Sequence, residues 1–185
     1  RHDVDRKPEN SFNMAKIEND LGALGVYYFR IVKESYDLRI MEEISKLGHE
    51  IGYHYEDVDN ALQYFKKNGI KNFSNDDLID KSFEFFKRNL KIFKKNFDIK
   101  TISMHGSPLS RYDNKLMWRK YNYTDFGIIC EPYLDIDYSS ISYLTDTGRS
   151  WGNSPSVRDK VKSNHKHDFK NTIDIIKGIN RLSNN

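Results

Sequence analysis

Four clusters of side chains in this 185-residue chain have the types and the spacing that chemistry requires. The first is His2-Asp3-Val4-Asp5. In an extended segment Asp3 and Asp5 project to the same side. Two carboxylates held side by side repel each other unless a cation or proton lies between them. That suits a metal site with a neighbouring base; the alternative is a helix-entry loop in which an Asp merely caps. The second cluster runs from Gly48 to Glu56 and contains His49, Gly52, Tyr53, His54 and Glu56. His49 and His54 are five apart, so a strand points them to opposite faces, whereas His54 and Glu56, two apart, can converge on one ion. His54 is therefore the ligand candidate, and His49 reads as a structural histidine at the strand's entry. The third cluster, Met104-His105-Gly106-Ser107-Pro108, has an apolar strand delivering a His into a turn. The fourth, Thr145 to Trp151, brings Asp146, Arg149 and Trp151 close together. Taken alone, each of the last two also reads as a structured turn. His165 and His167 lie among Lys, Asn and Asp and read as surface.

The elements that must position these groups alternate between helical and strand patterns. Ser11 is placed to cap a helix carrying Met14, Ile17, Leu21 and Leu24, with Gly25 ending it. Val26 to Ile31 reads as a strand. A helix over 38–47 puts Ile40, Met41, Ile44 and Leu47 on one face, and Glu50 to His54 is a short strand. Helices follow at about 59–67 and 76–96, the second with Ile79, Phe83, Phe86, Leu90 and Phe93 at helical spacing. Thr101 to Met104 is a strand, 114–120 a short helix, 126–130 and 141–144 strand-like, and 171–182 a last helix. This order predicts an α/β fold with a mostly parallel sheet, open or barrel-like. In such folds chemistry collects on loops at the carboxyl ends of strands, which is where all four clusters fall.

Composition excludes several classes. Apolar residues make up 37% of the chain, and 12 Tyr, 11 Phe and 2 Trp add buryable area, enough for a core. The 30 basic and 27 acidic residues are interspersed, and a net charge of +3 without a basic face argues against nucleic acid as a partner. No apolar run approaches the ~18 residues needed to span a bilayer. Cys130 is the lone cysteine, which excludes a disulfide scaffold. With no repeat and no linker, residues 1–185 read as one domain. No signal peptide is visible, so a cytoplasmic location is the expectation. The opening Arg1-His2-Asp3 without an initiator Met reads as the interior of a longer polypeptide.

With the first two clusters in place, the chain resembles the polysaccharide deacetylase family, carbohydrate esterase family 4, also called the NodB-homology domain. It is most similar to the divergent members found in bacterial surface-polysaccharide clusters. Arg1 to Asp5 looks like the family's first motif, in which one Asp is the catalytic base and the next binds the metal; carried over, Asp3 is the base and Asp5 a ligand. Gly48 to His54 looks like the family's G-H-E-I-G-N-H segment, whose final His is a zinc ligand, here His54. The resemblance implies a deformed (β/α)7 barrel, incomplete at both ends in this chain. It implies a divalent metal, Zn²⁺ by preference, and a saccharide substrate. The implied reaction is metal-assisted removal of an acetyl group from an N-acetylated sugar, with Asp3 taking a proton from the attacking water.

The pattern then departs. The family's second metal His falls at Val58, which cannot ligate. Glu56 and His105 are the candidates for the third ligand, with His105 preferred because imidazole suits zinc and His105 ends a strand. Asp146, Arg149 and Trp151 fall near the family's groove-wall motif and are expected to bind substrate, with Arg149 in place of the family's base-tethering Arg. The family's general-acid His lies beyond Asn185, so this form is expected to bind metal and turn over slowly. Two rival readings stand beside this one. One is a deacetylase-like domain that binds saccharide without hydrolysing it, for which Val58 is the best sign. The other is a D-x-D glycosyltransferase, which would need a nucleotide-binding half-sheet upstream of the motif.

Overall fold

The computed structural model describes residues 1–141, 143–146, 151, 161, 169 and 171–182. They fall into two compact units, Arg1–Leu134 and Asp135–Asn185.

The first unit is a mixed α/β structure around a curled, four-stranded, wholly parallel sheet. In chain order it contains β1 (His2–Val4), α1 (Pro8–Asp20), β2 (Val26–Phe29), α2 (Leu38–Lys46), β3 (Glu50–Tyr55), α3 (Asp57–Lys67), α4 (Asn75–Phe93) and β4 (Ile102–Met104). Two 3₁₀ turns, Asn114–Arg119 and Tyr123–Phe126, and a short helix α5 (Pro132–Asp135) follow. The strands lie in sequence order, β1-β2-β3-β4. Parallel neighbours joined one after the other by right-handed crossovers place every connecting helix on the same face of the sheet. The core agrees: Val4, Tyr27, Phe29, Ile51, Tyr53, Tyr55, Ile102 and Met104 form one buried cluster with Ala15 of α1, Ile40, Met41 and Ile44 of α2, and Phe83, Phe86, Leu90 and Phe93 of α4. These sheet residues are alternate positions of their strands, so the intervening residues occupy the opposite face. A second cluster, Val58, Ala61, Phe65 and Leu78, seals α3 against α4.

The helix starts follow local chemistry. Asp37 caps α2 by accepting from the Ile40 N–H. Ser74 and Asp77 form a reciprocal capping box on α4. In α1 the expectation fails: the helix begins at Pro8 after Lys7 in a left-handed conformation, and Ser11 lies inside it with its hydroxyl donating to the Pro8 carbonyl. The expected apolar stripe also faces outward, with Met14 45% and Ile17 55% exposed in the helix and Leu21 78% and Leu24 78% exposed beyond its end at Asp20. Instead α1 buries Ala15, whose carbonyl accepts from Nε2 of the buried His49 at 2.9 Å. An approach that close tolerates only a small side chain, so helical periodicity alone chooses the wrong face. His49 is thus structural, its Nδ1 accepting from the Gly25 N–H at 3.0 Å. The strand expected at 126–130 is a 3₁₀ turn followed by a single bridge from Cys130 to Thr101.

The second unit contains α6 (Thr172–Leu182), with Ile175 buried. The described residues of 141–144 are not a strand. Arg149, His165 and His167 lie outside the described residues.

Candidate metal centre

The face of the sheet turned away from the helices is polar, and the strand register stacks it in rows. Asp3 pairs with Tyr28, and Tyr28 with Gly52. Next along the strands, one residue past the β1–β2 pairing, come Asp5 and Arg30, beside the paired His54 and Ser103. Glu56 and His105 follow at the carboxyl ends of β3 and β4. Gly52 has a specific task here. A Cβ on it would stand 2.4 Å from the Tyr28 ring and 3.2 Å from the Thr101 carbonyl. Without one, the Tyr28 ring occupies the space over Gly52 and its hydroxyl donates to Thr101 Oγ1 at 2.8 Å.

The second and third rows bring the expected ligands together. Asp5 Oδ1 is 3.6 Å from His54 Nε2 and 3.6 Å from His105 Nε2. The two imidazoles meet edge to face with centroids 5.3 Å apart. Hydrogen bonds define which nitrogens point inward. His54 Nδ1 donates to the Ser103 carbonyl at 2.9 Å, so in the neutral ring Nε2 carries the lone pair. His105 Nδ1 faces Ser107 Oγ at 2.9 Å and Glu56 Oε2 at 3.6 Å. Asn114 donates to that Ser107 oxygen at 3.2 Å. An N–H directed at two oxygens is the favourable tautomer, again leaving the lone pair on Nε2. Burial holds His105 below the usual imidazole range, and the neighbouring His54 and Arg30 push the same way. In these tautomers both imidazoles turn a lone pair towards Asp5 Oδ1.

Zinc bonds of ~2.0–2.1 Å in tetrahedral geometry place ligand atoms roughly 3.3 Å apart. The two 3.6 Å separations are a few tenths wider. In keeping with that, no three His, Cys, Asp or Glu side chains form a ready-made cage among the described residues; two donor pairs share Asp5 instead. Asp5, His54 and His105 are the residues whose donor chemistry suits a divalent ion.

Residues not singled out in the sequence complete the surroundings. Arg30 donates through Nη2 to Glu56 Oε2 at 2.5 Å, and its Nη1 lies 3.8 Å from Asp5 Oδ1. Its Nε and Ser103 Oγ are the two buried side-chain atoms without a partner among the described residues. Strand alternation puts Arg30 on the same face as Tyr28, a signal legible in principle once Val26 to Ile31 is read as a strand. Asn114, fully buried, donates to the His105 carbonyl at 2.8 Å and accepts from the Val58 N–H at 3.1 Å, tying the loop after β4 to the start of α3. Ser107 adopts φ +41°, a strained value for a residue with a Cβ, next to the histidine it contacts.

The other expected residues are placed as follows. Asp3 shares the polar face one row from Asp5, roughly 7 Å along the strand, and accepts from Arg1 Nη2 at 3.1 Å. Val58 is fully buried in the cluster between α3 and α4, so the position that would carry a second family histidine serves packing. Asp146 is exposed and Trp151 half-buried, both in the second unit, where Trp151 Nε1 donates to Thr172 Oγ1 at 3.2 Å. No helix among the described residues is long and apolar enough to cross a membrane. Searched against family models, curated proteins and solved structures, the chain returns no match.

Proposed function

We propose that this chain is a metal-dependent hydrolase that removes an acetyl group from an N-acetylated sugar, on a deformed (β/α) barrel of which the parallel sheet forms part. The observation that carries the reading is that Asp5 Oδ1 lies 3.6 Å from each of two imidazole nitrogens, His54 Nε2 and His105 Nε2. A cation, or a proton on one imidazole, satisfies these facing lone pairs. The sequential strand order and the one-sided helices are also what a barrel requires.

A divalent ion held there, Zn²⁺ by preference, would supply Lewis-acid polarisation of the acetyl carbonyl. The chain's own residues do the rest. Asp5 and the two imidazoles hold the ion, Ser103 and Ser107 fix the imidazoles, and Asp3 is the carboxylate on the same face to accept the water's proton. Glu56, bonded to Arg30, braces the site from outside the ligand set. Asp146, Arg149 and Trp151 are the proposed saccharide contacts.

The test is elemental analysis of the purified protein, followed by acetate release from an N-acetylated oligosaccharide with and without chelator. One zinc per chain and chelator-sensitive release are expected, and Asp3→Asn should keep its zinc while release falls by ~10²–10⁴-fold. The buried Val58 favours a second reading, a saccharide-binding relative without turnover. Zinc bound, saccharide bound and no acetate released would select it.

A further inference from the structure

Two carboxylates stand within reach of the same histidine, and nothing in their own chemistry decides which of them enters the ligand set. His105 has Asp5 Oδ1 3.6 Å from Nε2 on one side and Glu56 Oε2 3.6 Å from Nδ1 on the other. Imidazole binds metals through either nitrogen, and Glu56 has the longer and more adaptable side chain. The difference lies in Arg30. One arm of its guanidinium bonds Glu56 at 2.5 Å, while the other stops 3.8 Å from Asp5, outside hydrogen-bond distance. The side chains of Arg30 and Glu56 are only 18% and 10% exposed, so water and salt do little to loosen the pair. The Arg30 backbone is pinned as well, its N–H donating to Ser35 Oγ at 2.9 Å. Ser35 in turn donates to the Val4 carbonyl, next to Asp5.

Resting on the metal reading above, we infer that Arg30 is a positioning residue that sorts the two carboxylates. It holds Glu56 outside the coordination shell, on the Nδ1 side of His105, and leaves Asp5 as the single anionic ligand. A guanidinium suits this task because its rigid fork bonds Glu56 through one arm while the other is held short of Asp5, a fixed geometry that a point charge does not impose.

The test loads the full chain with Co²⁺ and records the visible absorption spectrum of wild type, Arg30→Met, Glu56→Gln and the double variant. Arg30→Met should still bind Co²⁺, but with weaker, shifted bands, because the released Glu56 carboxylate adds an oxygen ligand. Glu56→Gln alone should match wild type, and the double variant should return to the wild-type spectrum, since no second carboxylate remains. Wild-type bands in Arg30→Met, or altered bands persisting in the double variant, overturn the inference while leaving the metal reading intact. A wild-type chain that takes up no Co²⁺ overturns the metal reading and the inference with it. If Arg30→Met does not fold, with Glu56 left buried and unpaired, Arg30→Lys carries the same test: partial movement of the bands supports the sorting role, and none overturns it.

Discussion

The two faces of one sheet solve opposite problems with neighbouring residues. On β3 and just past its end, Tyr53 and Tyr55 point into the helix-covered face and His54 and Glu56 into the polar one, all four buried. The aromatic face excludes water by packing: Tyr53 stacks on Phe86 at 5.8 Å and lies 5.0 Å from Phe93. The few acids on that side serve tyrosines. Asp57 accepts from Tyr53 and Asn89 at 2.7 Å each, and burial pushes its carboxyl up to about 7. Glu131 accepts from the Tyr55 hydroxyl and the Met104 and Tyr133 N–H groups and is likewise pushed up to about 7 by burial. On the polar face two acids have guanidinium partners, Asp3 with Arg1 and Glu56 with Arg30, while Glu50 accepts from the Thr101 hydroxyl. Buried carboxylates thus do not by themselves mark a site. What sets Asp5 apart is that its Oδ1 lies 3.6 Å from two imidazole nitrogens.

The sharpest way to break this comparison is to substitute adjacent residues of β3. Tyr53→Ala should cost about 3–5 kcal/mol by urea unfolding, as truncation of a large core aromatic does. His54→Ala should cost much less in metal-free protein yet abolish Zn²⁺ binding. Equal losses of stability would mean that the two faces are not functionally separate.

The acids of the aromatic face come next. Asp57 titrates near 7 when folded, above its ordinary 3.8, so the folded chain retains a proton that the unfolded chain releases. The associated stability is fully present below about pH 4 and is lost as pH rises towards 7. Urea midpoints across that window should fall for wild type and fall less for Asp57→Asn, a difference worth about 2–4 kcal/mol. A flat wild-type profile would contradict the burial argument.

Gly52→Ala sharpens the comparison from the other side. Its new methyl group meets the Tyr28 ring, so a loss of about 1–3 kcal/mol is expected. Tyr28→Ala in the same chain should recover part of it, read as the coupling in a double-mutant cycle.

The smallest effect concerns the bracing of the metal site. Glu56→Ala should weaken Zn²⁺ binding by about 10–100-fold, the usual cost of losing a residue that supports a ligand. His105→Ala should weaken it further, measured by competition with a chromophoric chelator. The reverse ranking would make Glu56 the ligand.

Much of this architecture was legible residue by residue. Helices α2, α3, α4 and α6 and strands β2, β3 and β4 lie within a few residues of their predicted bounds, because their apolar periods and caps act over one or two turns. The polar pairing of Asp3 with Asp5, and of His54 with Glu56, follows from strand alternation alone. The outward stripe of α1 and the 3₁₀ turn in place of a strand before Cys130 were not legible, since both depend on which neighbour lies alongside. Nor was Arg30. Its importance arises from standing between Asp5 and His54 across three strands, a relation set by register. Local sequence thus determined most of the elements and which strand residues share a face. Only the tertiary structure decided that residues 5, 30, 54, 56 and 105 meet at one end of the sheet, because parallel strands bring together residues that the chain itself keeps about a hundred positions apart.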